Sequence, residues 1–219
     1  AKGHGVPEVM SAMARKAGIM RPRVALVKTV VSAICIGSGG SVGQVGPSVQ
    51  VGSVLGSAVG QTLKLSENGM KTLVACGAAA GLAAIFNAPI TGTIFASEVI
   101  LGNLGLNNIT PVLISSVTGS AMARIFLGDE PAFFVPAFAL ESPWELILYC
   151  ILGVCAGALA AGFTKVFYTL DDVFGSMRVS YITKAVIGGA IVGMVGFFLP
   201  QLFGLGFVTL DRLLYNPDS

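Results

Sequence analysis

The stretch GQVGPSVQVG, residues 43–52, decides how this chain folds, and KGHGVPEVM, residues 2–10, has the same form near the start. In each, two glycines precede a proline, and an apolar run follows. Proline favours the first turn of a helix, where its missing N–H costs nothing and its fixed φ helps. Glycines just before it let the backbone pass close to another group. We therefore predict helix starts at Pro7 and Pro47.

The composition predicts a membrane protein. Hydrophobic residues make up 54% of the 219, charged residues only 11%, and the mean hydropathy is +0.83. An average soluble domain carries about 25% charged residues, so this chain has too few to cover a water-facing surface. The net charge of +2 gives no reason to expect a nucleic-acid partner. The first residues resemble no signal peptide, and we expect the chain to start within a longer protein.

Apolar stretches recur along the chain at 24–37, 47–63, 72–86, 89–101, 109–127, 143–167 and 181–203. A perpendicular span needs about 20 residues, so the last three are long enough to cross, and several of the others are too short to cross alone. Short apolar helices broken by Gly and Pro, beside full spans, are typical of channels and transporters. The sequence thus predicts an all-α polytopic membrane bundle with broken and tilted helices.

Two polar connectors separate the apolar stretches. RKAGIMRPR, residues 15–23, holds four of the thirteen basic residues, so the positive-inside rule places it on the cytoplasmic side. GDEPAFFVPAFALES, residues 128–142, mixes acids, aromatics and prolines and is interpreted as an interfacial loop that is partly re-entrant.

Glycine at every fourth position predicts close helix packing, because small residues at this spacing let helix backbones approach each other in lipid. The glycines concerned are Gly52, Gly56, Gly60, Gly77, Gly81, Gly153, Gly157, Gly189 and Gly193.

The two predicted helix starts are candidate anion sites. A helix N-terminus carries about half a positive charge and several free N–H donors. Without a full cation to trap the ion, such an end holds an anion weakly enough to release it, so two of them can frame one anion path. Other glycine-rich sites fit worse: no P-loop lysine is present, and Val42 stands where the dinucleotide fingerprint needs its third glycine.

These residues resemble the CLC family of chloride channels and chloride/proton exchangers. GHGVPEV is similar to the family's GSGIP element, GQVGPSVQVG to its GREGP element, and GAAAGLAAIFNAPITGTIF, residues 77–95, to the helix pair that follows. The resemblance implies a dimer with inverted repeats, in which each subunit has its own anion path. It makes residues 1–219 part of a transmembrane domain, with first-repeat helices at about 5–127 and the start of the second repeat at about 143–203.

The resemblance also implies the residues of the anion path. The first helix start comprises Gly3, His4, Gly5, Val6 and Pro7, and the second comprises Gly43, Gln44, Val45, Gly46 and Pro47. The family's later GxFxP element and pore tyrosine are expected beyond residue 219. GFFLP, residues 196–200, matches GxFxP literally, but it ends an apolar stretch instead of opening one.

The chain departs from the family at both proton stations. Val45 stands at the glutamate of GREGP, whose carboxylate acts in the family as an external gate that swings away on protonation. Val99 stands at the family's second glutamate, which relays protons near the inner face. Glu98, beside it, aligns with a structural glutamate; it either has a hydrogen-bonded structural role or contributes to the electrostatics of the path. Because valine carries no proton, these departures argue against coupled exchange.

Two further residues have alternative roles. His4 replaces the serine of GSGIP, so its imidazole either donates an N–H to the anion or serves as a helix-cap or packing residue. Lys28 matches a family lysine near the path; it either adds positive potential or extends its amine to the interface.

The sequence thus predicts a passive anion channel, chiefly for chloride, in a multi-pass protein of the cell (inner) membrane. The alternatives are a chloride/proton antiporter whose proton path runs through His4 or Glu98, and a non-transporting assembly subunit. An enzyme is not expected, since His4 has no catalytic partners in the sequence, and we expect no cofactor or metal site. The expected partners are chloride or other small anions, the bilayer and a second copy of the chain. Chloride, nitrate and fluoride all remain candidates.

His4 generates a pH prediction. Because an unperturbed imidazole has a pKa near 6.5, protonation of His4 in its anion-binding role would add positive charge beside the anion, and anion conductance is expected to rise as cytoplasmic pH falls. Currents of wild type and His4→Ser, recorded between pH 5.5 and 8, test this. If wild type and His4→Ser carry equal currents across that range, His4 does not bind the anion.

Overall fold

The computed structural model describes residues 5–102, 105–129, 142, 144–207 and 209–210. Within these ranges every regular element is helical, which confirms the predicted all-α fold. The helices are α1 (Val6–Arg15), α2 (Arg23–Gly37), α3 (Val45–Thr62), α4 (Glu67–Phe86), α5 (Pro89–Phe95), α6 (Leu106–Leu127), α7 (Glu145–Ser176) and α8 (Tyr181–Phe198). A π-helical segment, Ala96–Leu101, continues α5, and a 3₁₀ turn, Pro200–Leu202, follows α8. The predicted re-entrant loop at 128–142 falls almost wholly outside the described residues.

Both predicted glycine-proline helix starts are confirmed. Helix α1 begins at Val6, with Pro7 in its first turn, and Gly5 caps it with a φ of 50°. Helix α3 begins at Val45, with Pro47 as its third residue. Proline therefore occupies the first turn of each helix, where no intrahelical acceptor is needed for its nitrogen.

Three described helices are long and apolar enough to cross a membrane, namely Glu67–Phe86, Asn108–Leu127 and Glu145–Ser176. The first of these, α4, is longer than the apolar stretch predicted at 72–86, because it begins at Glu67. Ser66 caps this earlier start, since its Oγ accepts a hydrogen bond from the Gly69 N–H at 3.5 Å. Glu67 places a negative charge in the first turn, which stabilises the N-terminus of a helix.

The full span predicted at 181–203 is wrong. Helix α8 ends at Phe198, and the apolar residues after it are not part of the same helix. Leu199 lies directly before Pro200, and the proline ring disfavours helical geometry at the preceding residue; Leu199 accordingly has φ −129° and ψ 77°. GFFLP therefore ends an apolar helix, as predicted.

Helix α4 lies at the centre of the packed part of the molecule and contacts α3, α5 and α6. Most of its buried residues are small, among them Ala75, Ala78 and Ala79. Gly52 of α3 and Gly77 of α4 cross so closely that a Cβ on either would collide with the other's carbonyl oxygen. This crossing confirms close packing through small residues for α3 and α4.

The glycines of α7 and α8 behave differently. Gly153, Gly157, Gly189 and Gly193 have no atom within 4 Å of an added Cβ. Helix α7 has no buried residue among those described. The close packing expected at these four glycines is therefore not found in the described part of the chain.

The α3–α4 crossing generates a stability prediction. Gly52→Ala places a Cβ against the Gly77 carbonyl, and such overpacking typically lowers the free energy of unfolding by about 1–3 kcal/mol. Gly37→Ala is the matched control, because nothing lies within 4 Å of its added Cβ. Thermal unfolding of the purified protein in detergent measures both. Equal melting temperatures would contradict the packing described.

Candidate functional site

The starts of α1 and α3 lie against each other. A Cβ added to Gly5 would lie 2.8 Å from the Gly46 Cα and 3.1 Å from its carbonyl oxygen. Gly5 also has a positive φ, which side chains rarely adopt. Because the first turn of a helix leaves its N–H groups without intrahelical acceptors, two sets of backbone donors lie near this contact, hereafter the Gly5–Gly46 crossing.

The crossing includes most of the residues that the sequence assigns to the anion path. Val6, Gln44, Val45 and Pro47 are half-buried around it, whereas Pro7 and Gly43 are exposed. Gly3 and His4 lie outside the described residues. The second helix start is therefore placed in full, and the first from Gly5 onward.

The two valines that the resemblance places at the family's glutamate positions are packed against apolar residues. Val45 is the first residue of α3 and packs against the hydrophobic core. Val99 lies in the π-helical segment after α5 and packs against the same core. Neither position offers an atom that binds a proton.

The other two candidates lie on neighbouring elements. Glu98 is exposed on the π-helical segment, and the hydrogen-bonded role expected of it stays a prediction. Lys28 is half-buried within α2, a helix that packs against α3. π-Helical segments are rare and occur often at functional sites, but the sequence analysis did not predict this one.

A polar face on α3, which the sequence analysis missed, anchors α1 and the basic connector. Its members follow each other at helical spacing and are Gln50, Ser53, Ser57 and Gln61. Polar residues at spacings of three and four within an apolar helix share one face, and this spacing was visible in the sequence.

Near the start of α3, the polar face contacts α1. Gln50 is 1% exposed, and its Nε2 donates to Glu8 Oε2 at 2.6 Å. Gln50 Oε1 and Ser53 Oγ are buried without a partner in the described part of the protein. The contact lies one turn past the Gly5–Gly46 crossing on both helices, since Glu8 follows Gly5 by three residues and Gln50 follows Gly46 by four.

Toward the end of α3, the polar face holds the basic connector. The Met20 N–H donates to Ser57 Oγ at 2.9 Å, and Ser57 Oγ donates to the Gly18 carbonyl at 2.7 Å. Gln61 Nε2 donates to the Met20 carbonyl at 2.8 Å. The connector is thus fixed to α3 through its backbone, while its basic side chains stay exposed. Its predicted cytoplasmic location stays a prediction.

The helical bundle and its interrupted apolar helices define a polytopic membrane protein, and comparison with known proteins gives its family. The model of the voltage gated chloride channel family matches residues 1–218. The chain therefore belongs to this family and is part of an integral membrane protein.

Individual relatives agree with the family. Chloride channel protein CLC-e of Arabidopsis thaliana is 33% identical over 97% of this chain and 31% of its own length. The H(+)/Cl(-) exchange transporter ClcA of Salmonella newport is 34% identical over 94% of this chain and 45% of its own. The crystal structure of a slow cyanobacterial Cl⁻/H⁺ antiporter shares the fold, with a TM-score of 0.84 and 24% identity over 99% of this chain and 52% of that one. The chain thus spans half or less of the first two relatives and about half of the third.

The crossing generates a prediction with an internal control. Gly5→Ala is expected to lower the free energy of unfolding by at least about 2 kcal/mol, because a side chain in this sparsely populated backbone conformation costs about 1–3 kcal/mol and the added Cβ meets Gly46 at 2.8 Å. Gly46→Ala is expected to be nearly neutral, because its Cβ would lie 3.7 Å from the Gly5 Cα, an ordinary contact. Thermal unfolding of the two variants compares them, and equal destabilisation would refute the geometry.

Proposed function

We propose that the complete protein is a passive anion channel, chiefly for chloride, whose path runs past the Gly5–Gly46 crossing. The observation that carries the proposal is the backbone contact between two glycine-proline helix starts. Each start contributes a partial positive charge and N–H donors. Two such ends at one point offer a migrating anion several donors at once.

The described residues of the crossing include no positively charged side chain. An anion that binds there is therefore expected to pass on along the path and not to stay bound. The residues that surround the contact, from Gln44 to Pro47 and from Gly5 to Pro7, carry no basic side chain. Backbone amides attract an anion by partial charges only, which lets binding stay weak enough for release. No cofactor or metal is needed for this chemistry.

The lack of proton coupling rests on Val45 and Val99. Both pack against the hydrophobic core, and the resemblance assigns them to the positions of the family's gating and relay glutamates. An apolar side chain neither competes with the anion nor transfers a proton. We therefore propose transport down the electrochemical gradient.

The runner-up function is chloride/proton antiport along a substituted proton path. Relatives named as exchangers support it, and so does the exposure of Glu98 beside Val99 on the π-helical segment. His4 is the other candidate station. Assembly as a homodimer in the cell (inner) membrane belongs to both proposals.

The test uses the full-length protein reconstituted in liposomes with a chloride gradient and no proton gradient. A passive channel moves chloride with saturable, protein-dependent flux and leaves the internal pH unchanged when the membrane potential is clamped. Proton movement driven by the chloride gradient, which would build up a proton gradient across the liposome membrane, would reject the channel in favour of the antiporter. If there is no chloride flux at all, both transport functions are rejected and the protein is a non-transporting assembly subunit.

Variants at Val45 sharpen the test. With Val45→Glu we expect chloride flux to fall at neutral external pH and to recover in acid, because an ionised carboxylate competes for the anion position and a protonated one does not. Val45→Gln is the matched control of the same size without a charge, and its flux is expected to ignore external pH. If Val45→Glu shows no pH dependence beyond that of Val45→Gln, Val45 does not adjoin the path.

A further inference from the structure

A carboxylate lies in the first turn of α1, where it opposes the function proposed for this helix start. Glu8 is the third residue of α1. A glutamate at the third helical position commonly reaches back to the backbone N–H of the cap. There it occupies a donor and adds a negative charge at the end of the helix that would hold the anion.

In the structure the Glu8 carboxylate points to Gln50 of α3 and not to the cap of α1. Glu8 Oε2 accepts from Gln50 Nε2 at 2.6 Å, and no hydrogen bond joins Glu8 to the cap residue Gly5 in the described part of the chain. Gln50 is almost fully buried, so its side chain has little room to move away from Glu8. A short contact to an ionised acceptor is a strong hydrogen bond, because the charge strengthens it.

We propose that Gln50 is a positioning residue of the anion site: by binding the Glu8 carboxylate one turn past the Gly5–Gly46 crossing, it keeps the start of α1 open for the anion. This inference rests on the proposed function. It explains why a fully buried glutamine is placed in an apolar helix with Oε1 unpartnered among the described residues, since the amide group serves through its N–H.

Packing alone is the competing explanation. Buried polar contacts between helices stabilise membrane proteins, and Gln50 joins α1 to α3 as any such contact would. The two explanations differ in what the charge on Glu8 does. Under the positioning role, loss of Gln50 harms anion binding only while residue 8 is a carboxylate; under packing alone, the charge is irrelevant.

The experiment measures the chloride concentration that gives half-maximal flux in liposomes containing the full-length protein. Gln50→Met removes the amide at similar volume, and we expect the half-saturating concentration to rise roughly two- to fivefold, the range that one charge produces at a helix terminus. In a Glu8→Gln background the same substitution is expected to change nothing, because residue 8 no longer carries a charge to the helix start.

Gln61→Met is the matched control. Gln61 lies on the same face of α3 and also donates to another segment, at the Met20 carbonyl, so its loss is expected to leave the half-saturating concentration unchanged. Gln50→Asn, whose shorter amide does not reach Glu8, replaces Gln50→Met if that variant does not fold.

Two results would overturn the inference: no change in Gln50→Met, or an equal change with and without the charge on residue 8. Wild-type protein without saturable chloride flux would instead reject the proposed function, and the inference with it. The two failures are therefore distinguishable in one set of measurements.

Discussion

The contact between the backbones of Gly5 and Gly46 is the constraint on which the rest of the arrangement depends. A side chain at Gly5 has neither the space nor the backbone geometry to exist there. The contact brings two helix starts to one point. Helix α3 then packs on α4 where Gly52 crosses Gly77, so one helix connects the candidate site to the centre of the bundle.

The electrostatics of the site follow from what surrounds this contact. Donors come from the first turns of two helices, and the side chains around them are glycine, valine, proline and glutamine. The nearby carboxylate of Glu8 is bound by Gln50. The basic side chains of the connector lie toward the other end of α3, where Ser57 and Gln61 hold its backbone. At the described residues of the crossing, Gly5–Pro7 and Gln44–Pro47, positive charge thus comes from backbone N–H groups and not from basic side chains.

Much of this was predictable because proline and glycine act locally. The helix starts at Val6 and Val45 follow from Pro7 and Pro47, and the close crossing of α3 and α4 follows from glycine spacing. The early end of α8 was also readable from Pro200, but the apolar residues after it concealed the break.

Other features depend on contacts between distant residues. Glu8 and Gln50 are paired by the crossing of their helices, which no local pattern shows. The π-helical segment that displays Glu98 and packs Val99 is a departure from regular α-helix that composition does not encode. In α7 and α8 the glycine spacing predicted closely packed neighbouring helices, and no described residue packs against these glycines. The helix starts and the α3–α4 crossing could therefore be predicted from local sequence patterns. The residues that surround the site could not, because they are brought together by tertiary contacts.

The most direct test of the account locates the anion. Crystals of the complete protein grown in bromide, with anomalous diffraction recorded at the bromine edge, show where halide binds. The account predicts a bromide peak at the Gly5–Gly46 crossing, within hydrogen-bonding distance of backbone N–H groups in the first turns of α1 and α3. Bromide bound only at basic side chains such as Lys16 and Arg21, with none at the crossing, would contradict it.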